Sequence, residues 1–289
     1  MNAIEQYLAP TELEPALAAL RAGGVTLLAG GTDLMPQSAS GKRPLQPTLL
    51  NIRHIAALHG IAQAGDAIRI GALVTVSELL RTPLVRERLP LLAEACDHFA
   101  SEQIRNAATI GGNIVNASPA GDTPVPLLAL DAEVELASLD AAGTVAKRRL
   151  PLADFFVGPG RTRLAPAELL AAVRVPLPPP GLHTRFYKFG TRPALDISAI
   201  SIALAAVVTA GVASRVRVAF GAVAPTPMRA RRTEAALEGR ALDAATIEAA
   251  AQAAFDEVQP IDDVRASAWY RRELIRNLTR RMLEDVARA

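Results

Sequence analysis

Three consecutive prolines in PLPPPG (176–181) constrain this chain more than any other stretch. Proline fixes φ and has no N–H to donate, so the run can continue neither a helix nor a central strand. It favours an extended polyproline geometry instead. The chain therefore divides there, into an N-terminal part of about 175 residues and a smaller C-terminal part. A total of 289 residues agrees with two domains, and with half of the residues apolar each part can bury a core.

The N-terminal part mixes helical and strand patterns. PTELEPALAALRAGG (10–24) predicts a helix capped by Thr11 with Glu14 three residues on, stopped by Gly23 and Gly24. VTLLAGGTDLMP follows as a short apolar strand, a glycine pair and polar residues. TLLNIRHI (48–55) and AIRIGAL (67–73) predict strands, VSELLR (76–81) a short helix, and LPLLAEACDHFA (89–100) a helix through Leu91, Leu92, Ala95 and Phe99. The segment TIGGNIVNASPAGDT (109–123) is neither a clean helix nor a clean strand. DTPVPLLAL is a helix that Asp122 could begin, AEVELASL a strand, and VAKRRLPLADFF and ELLAAVRVPL strands and turns.

Beyond the prolines, FYKFGT, ISIALAAVV and RVRVAFGAV predict strands, followed by three helical patterns. In the last of these, Tyr270, Leu274, Ile275, Leu278, Met282, Leu283 and Val286 share one apolar face. No residue from Ile197 to Ser214 is charged, but serines, a TAG turn (209–211) and alternating apolarity predict a hairpin rather than a membrane span. From Val212 onward, 13 arginines interleave with 11 acids, a solvated helical surface rather than a basic patch. The whole chain has 31 basic and 29 acidic residues, a net charge of +2 that gives no reason to expect nucleic acid or an anionic membrane. Cys96 is the only cysteine, which excludes an internal disulfide and any all-cysteine metal site built by this chain alone. The start, MNAIEQYLAP, lacks a secretory layout, so the expected location is the cytoplasm. His54, His59, His98 and His183 show no metal spacing.

Two glycine pairs recur in like contexts, LLAGGTDL (27–34) and ATIGGNIV (108–115). Each follows an apolar stretch and precedes a side chain that accepts hydrogen bonds, Asp33 or Asn113. Glycine permits positive φ and close approach, and successive N–H groups in such turns form concave nests that hold an anion such as a pyrophosphate. Two nests could grip a dinucleotide without any lysine. A Cβ at Gly112 would then occupy the anion's approach. Neither loop has the three spaced glycines of the dinucleotide fingerprint, nor the Gly-Lys-Ser/Thr end of a P-loop. Either loop alone reads more simply as a tight turn that binds nothing.

Together, LLAGGTDL, QIRNAATIGGNIVNASPAGDT, FYKFGTRPALDIS and the ending RASAWYRRELIRNLTRRML resemble the FAD-binding (medium) subunit of molybdenum hydroxylases, the xanthine dehydrogenase and carbon monoxide dehydrogenase flavoprotein family. The resemblance runs from near residue 1 to near residue 285. It implies an α+β chain. Residues 1–176 would form a vanillyl-alcohol-oxidase-type (PCMH) FAD-binding domain of two α/β lobes, about 1–55 and 56–176. Residues 182–287 would form a C-terminal domain with a small antiparallel sheet and helices. It also implies a cytoplasmic hetero-oligomer. A molybdopterin-binding large subunit oxidises substrate, a [2Fe–2S] small subunit relays electrons, and this oxidoreductase subunit passes them through FAD to NAD⁺ or another acceptor.

The same resemblance implies site residues. Leu27, Leu28, Ala29, Gly30, Gly31, Thr32, Asp33 and Leu34 match the loop that wraps the FAD diphosphate, and Thr109, Gly111, Gly112 and Asn113 match the second loop. Asp122 matches an aspartate at the sugar or ribityl hydroxyls, Phe99 an aromatic near the ring, and Leu170 a leucine that contacts FAD. Lys188 matches a lysine near the isoalloxazine, where a cation favours the reduced ring. Ile197 matches the side chain facing the flavin, where carbon monoxide dehydrogenases carry Tyr, so the resemblance leans toward the xanthine dehydrogenase-like branch. No residue is assigned an acid or base role, and no metal site is expected. With Cys96 alone, the chain cannot build the extra [4Fe–4S] cluster of some relatives from its own cysteines. Each residue has a plainer reading too: Phe99 and Leu170 as core, Lys188 as a surface lysine, Asp122 as a helix cap. Two other functions stay open from the residues. One is a free-standing FAD-dependent reductase like the UDP-N-acetylenolpyruvylglucosamine enzyme; the other is a scaffold subunit with a vestigial flavin site.

Overall fold

The computed structural model describes residues 4–192 and 195–288. Its first lobe is a three-stranded parallel sheet of β1 (Gln6–Leu8), β2 (Val25–Leu28) and β3 (Thr48–Asn51), in the order β1-β3-β2. Parallel neighbours need crossovers, and the helices Leu13–Ala22 and Leu34–Ala39 supply them. The first helix starts at Leu13 with Glu12 at its N-cap and no side-chain cap bond, which corrects the expected Thr11 cap. Thr11 and Glu12 are exposed, so water can serve the free N–H groups of that end.

The second lobe is a five-stranded antiparallel sheet in the order β4-β5-β10-β6-β7. Its strands are β4 (Ile61–Ala64), β5 (Ala67–Gly71), β6 (Glu133–Leu139), β7 (Val145–Pro151) and β10 (Leu169–Pro176); a small ribbon of β8 (Phe156–Gly158) and β9 (Arg161–Thr162) lies between β7 and β10 in the chain. A register shift between Leu170 and Ala172 lets β10 serve two cores. Leu169 and Ala171 join Leu17, Leu50 and Ile55 in the first-lobe core, while Leu170 joins Ile70, Leu92 and Phe155 in the second.

The third sheet, antiparallel, is β11 (Leu182–Phe189), β12 (Ile200–Thr209), β13 (Val212–Gly221) and β14 (Met228–Arg229) in sequence order. The uncharged segment thus forms a hairpin, and no described helix is long and apolar enough to cross a membrane. Helices Arg231–Leu237, Ala244–Glu257 and Ala268–Ala287 pack on this sheet, giving a core of Ile202, Val218, Phe220, Ile275 and Leu283. The architecture is α+β, three larger sheets each with its own helices and one two-stranded ribbon among the described residues.

Candidate functional site

After β2 ends at Leu28, the chain turns through residues 29–33 into the helix Leu34–Ala39. Gly31 sits at φ 77°, in the left-handed region. A Cβ on Gly30 would run into the carbonyl oxygen of Ala107 and lie 3.2 Å from the Cα of Ala108. The first glycine loop therefore rests directly on the approach to the second. Among the described residues, the N–H groups of Gly30, Gly31, Thr32 and Asp33 find no protein acceptor; the next turn closes with Met35 N–H on the Gly31 carbonyl at 3.0 Å. A run of free donors around a positive-φ glycine is an anion nest.

The second loop is different. TIGGNIV is a short helix, Ile110–Val115, capped by Thr109, whose Oγ1 accepts from Gly112 N–H at 3.0 Å. Ile110 N–H donates to Val74 O and Gly111 N–H to Ala72 O, both at 2.9 Å, and Asn113 N–H to Thr109 O at 3.0 Å. These donors are spent inside the protein, so the expectation of two like nests is corrected to one nest and one closed turn. The glycines answer to packing: a Cβ on Gly111 would lie 2.7 Å from Ala72 O, and one on Gly112 would lie 2.8 Å from Thr109 Oγ1. A side chain at Gly112 thus attacks the cap itself. Asn113 Oδ1 accepts from Thr123 Oγ1 at 2.7 Å and Thr123 N–H at 3.2 Å, and Asn116 Oδ1 accepts from Gln37 Nε2 at 3.0 Å. The latter bond fastens the second loop to the helix that follows the first.

Both loops line one cavity of about 520 Å³, together with Phe99, Leu169 and Leu170. Of the expected residues, Leu27, Ala29–Leu34, Phe99, Thr109, Gly111, Gly112, Asn113 and Leu170 face it; Leu28, Asp122, Lys188 and Ile197 do not. Phe99 follows the helix Pro90–Asp97, and its carbonyl is held by Arg105 Nη1 at 2.9 Å. Arg43, Gln46, Leu164 and Glu168 also line the cavity, and no periodicity or motif marks them. Glu168 is turned away to Arg148, which binds both its oxygens at 2.6 and 2.7 Å; that pair holds the carboxyl below its usual range. Asp33 opens on the cavity yet is crowded by its walls, and this partial loss of water pushes its carboxyl up.

Asp122 and Lys188 meet elsewhere, in a buried ion pair between the second lobe and β11. Lys188 Nζ lies 2.9 Å from Asp122 Oδ2 and 3.0 Å from the His98 carbonyl. The plain readings of a helix cap and a surface lysine are both corrected, because the helix Pro124–Ala129 has Thr123 at its N-cap and the Lys188 side chain is 7% exposed. Burial pushes the Asp122 carboxyl up against the downward pull of Lys188, and its Oδ1 is buried without a partner among the described residues. Ile197 is exposed in the loop before β12; there Asp196 Oδ1 accepts from Ile197 N–H at 2.9 Å. Cys96 is fully buried, which drives its thiol pKa up and leaves it unreactive. No cluster of metal-ligating side chains exists among the described residues.

Residues 2–178 match the family described as FAD binding domain in molybdopterin dehydrogenase, and residues 185–286 match the CO dehydrogenase flavoprotein C-terminal domain. The chain is 34% identical over 266 residues to the xanthine dehydrogenase FAD-binding subunit of Escherichia coli O157:H7, covering 91% of this chain and 89% of that one. It is 34% identical over 283 residues to the glyceraldehyde dehydrogenase medium chain of Sulfolobus acidocaldarius, covering 97% and 98%. A solved chain of carbon monoxide dehydrogenase from Hydrogenophaga pseudoflava, lacking the Mo-pyranopterin moiety of its cofactor, superposes with a TM-score of 0.90 at 33% identity. It covers 96% of this chain and 94% of that one.

Proposed function

The chain belongs to the FAD-binding medium subunits of the xanthine and carbon monoxide dehydrogenase family, and from that premise we propose that it takes electrons from a [2Fe–2S] partner subunit and passes them to NAD⁺ or another acceptor. It is an oxidoreductase subunit and its cofactor is FAD. The complex it serves would contain a molybdopterin-binding large subunit that selects the substrate, and would work in the cytoplasm. Relatives named for xanthine and for glyceraldehyde match at the same 34% identity, so likeness to them assigns no substrate.

The observation that carries this reading is the row of free N–H groups from Gly30 to Asp33, opening on a cavity of about 520 Å³ that Phe99, Leu169 and Leu170 also line. Donors for a diphosphate and Phe99, Leu169 and Leu170 for a ring system fit an elongated dinucleotide, and the volume is that of a ligand site. Bound FAD supplies the exchange between one-electron and two-electron partners. The protein's share is binding and orientation. Residues 27–34 would hold the diphosphate by backbone, Thr109, Gly111, Gly112 and Asn113 line the same cavity, and the second loop supports the first through Gln37 and Asn116. Asp122 Oδ1 is buried outside this cavity, so it would take a cofactor hydroxyl only once its pair with Lys188 opens toward the cofactor. Lys188 enters as half of an ion pair, so its field at the ring is offset by a carboxylate 2.9 Å away. Ile197, exposed in its loop outside the cavity lining, would be free to close over the ring when FAD is bound. Residues 1–176, with lobes of about 1–55 and 56–176, make the FAD-binding domain, and 182–287 the C-terminal domain.

Family membership sets aside the free-standing reductase, and the intact nest speaks against a vestigial site. The test is to incubate the purified chain with FAD, then add a reduced iron–sulfur partner and NAD⁺ in turn. Flavin absorbance that bleaches on adding the partner and returns with NADH formation is the expected result. Flavin that the partner never reduces would end the electron-transfer reading, and return of colour with a dye but not NAD⁺ would point to another acceptor.

A further inference from the structure

Arg43 is the one lysine or arginine lining the cavity among the described residues, and its guanidinium has no hydrogen-bond or ion-pair partner there. Its place is fixed by the chain around it. Gly41, at φ 75°, turns the backbone, Arg43 N–H donates to the Gln37 carbonyl at 3.2 Å, and Gln46 N–H donates to Thr26 Oγ1 at 2.8 Å. Gln37 lies in the helix after the glycine loop and Thr26 in the strand before it, so this segment is tied to both flanks of the nest. Leu45 anchors it from below, at 7% exposure.

The other charges at the cavity make a cation necessary. Asp33 adds a carboxyl with no ion-pair partner among the described residues, and Glu168 is already neutralised by Arg148. Backbone N–H groups carry only partial charge, while a diphosphate linking two nucleosides carries two full negative charges. We infer that Arg43 is the counter-charge for the cofactor's diphosphate, an inference that rests on the FAD reading above. Its planar fork can bind two phosphate oxygens through parallel N–H donors, a geometry the point charge of a lysine lacks. Arg43 therefore sets the preference for a diphosphate-bearing flavin over riboflavin and makes cofactor affinity fall with salt.

The test uses the 289-residue chain and its Arg43→Gln and Arg43→Lys variants, with affinities for FAD and for riboflavin read by flavin fluorescence at several ionic strengths. Arg43→Gln should weaken FAD by about 10- to 100-fold, the cost of one lost charge-assisted bond. It should also flatten the salt dependence and leave riboflavin binding unchanged. Arg43→Lys should keep most of the salt dependence while recovering only part of the affinity. A wild-type chain that binds FAD, with Arg43→Gln matching it in affinity and salt slope, overturns the role of Arg43 alone. Equal loss of FAD and riboflavin also overturns it, since that marks a structural effect. A wild-type chain that binds no FAD overturns the flavin reading and this inference together.

Discussion

Gly30 carries the tightest constraint in the site, because its missing side chain is where the two loops meet. A methyl group there would press on the Ala107 backbone carbonyl, which cannot rotate aside. Gly30→Ala should therefore cost about 1–3 kcal/mol through overpacking and loosen FAD by parting the loops. Thermal melts and flavin titration check both; an unchanged FAD affinity would mean that the loops do not support one another. Lys188 and Asp122 are coupled in another way. Lys188→Met strands a buried carboxylate already lacking one partner, and should destabilise the chain by about 3–5 kcal/mol. Adding Asp122→Asn should restore much of that loss, so a double-mutant cycle without coupling would refute the pair. The glycine pairs were legible in the sequence, since Gly-Gly before a hydrogen-bonding side chain has few uses. Their difference was not. Whether an N–H is free depends on Ala72 and Val74, which lie 39 and 36 residues before the Gly111 and Ile110 donors they receive.

Elements with a long period were the easiest to see. The last helix buries Ile275, Leu278, Met282, Leu283 and Val286 as its spacing required, and Tyr270 at its start packs edge-on against Phe189 with ring centroids 6.0 Å apart. The short helix Ile110–Val115 stayed hidden because two glycines argue against helix. It forms through the Thr109 cap and the bonds to the β5 exit, which no local pattern reveals. Arg271, buried within the last helix, was invisible for a similar reason: its partner Asp263, at 2.7 Å, sits in a loop outside any period. That pair predicts a pH dependence. The Arg271 hydrogen bond, with those of Arg265 and Ala266 N–H, holds the Asp263 carboxyl below its ordinary 3.8, at about 2. A depressed acid adds stability that is fully present above the unfolded value and is lost as pH falls from 3.8 toward about 2. Asp263→Asn should thus lower Tm at pH 7 and converge with wild type as acid protonates Asp263. A gap between the two that stays constant down to that range would show that Asp263 acts by packing alone.

At the scale of the whole molecule, the proline run marks a change of sheet but not a break in the packing. Phe186, Ala203 and Ala219, all beyond the prolines, are buried in the same core as Ile68, Leu92 and Phe155 of the second lobe. Ion pairs reinforce the seam: Asp131 binds Arg217 at 2.6 Å and also the buried Arg229, which reaches the Leu128 carbonyl at 3.3 Å and Glu234 at 2.6 Å. Composition could locate the linker, because three prolines are a local signal. It could not show that the two parts share a core, because groups that meet across the seam are far apart in the chain, 86 positions for Asp131 and Arg217 and 101 for Leu128 and Arg229. Two parts joined by shared apolar burial should unfold together, so calorimetry should show one transition whose calorimetric and van't Hoff enthalpies agree. Asp131→Ala removes a partner from a buried guanidinium and should cost about 1–3 kcal/mol, lowering that transition without splitting it. Two resolved transitions in the wild-type chain would mean that the seam is a contact between independent domains. The site would then owe none of its rigidity to the C-terminal sheet, and Lys188 could leave Asp122 without the second lobe unfolding.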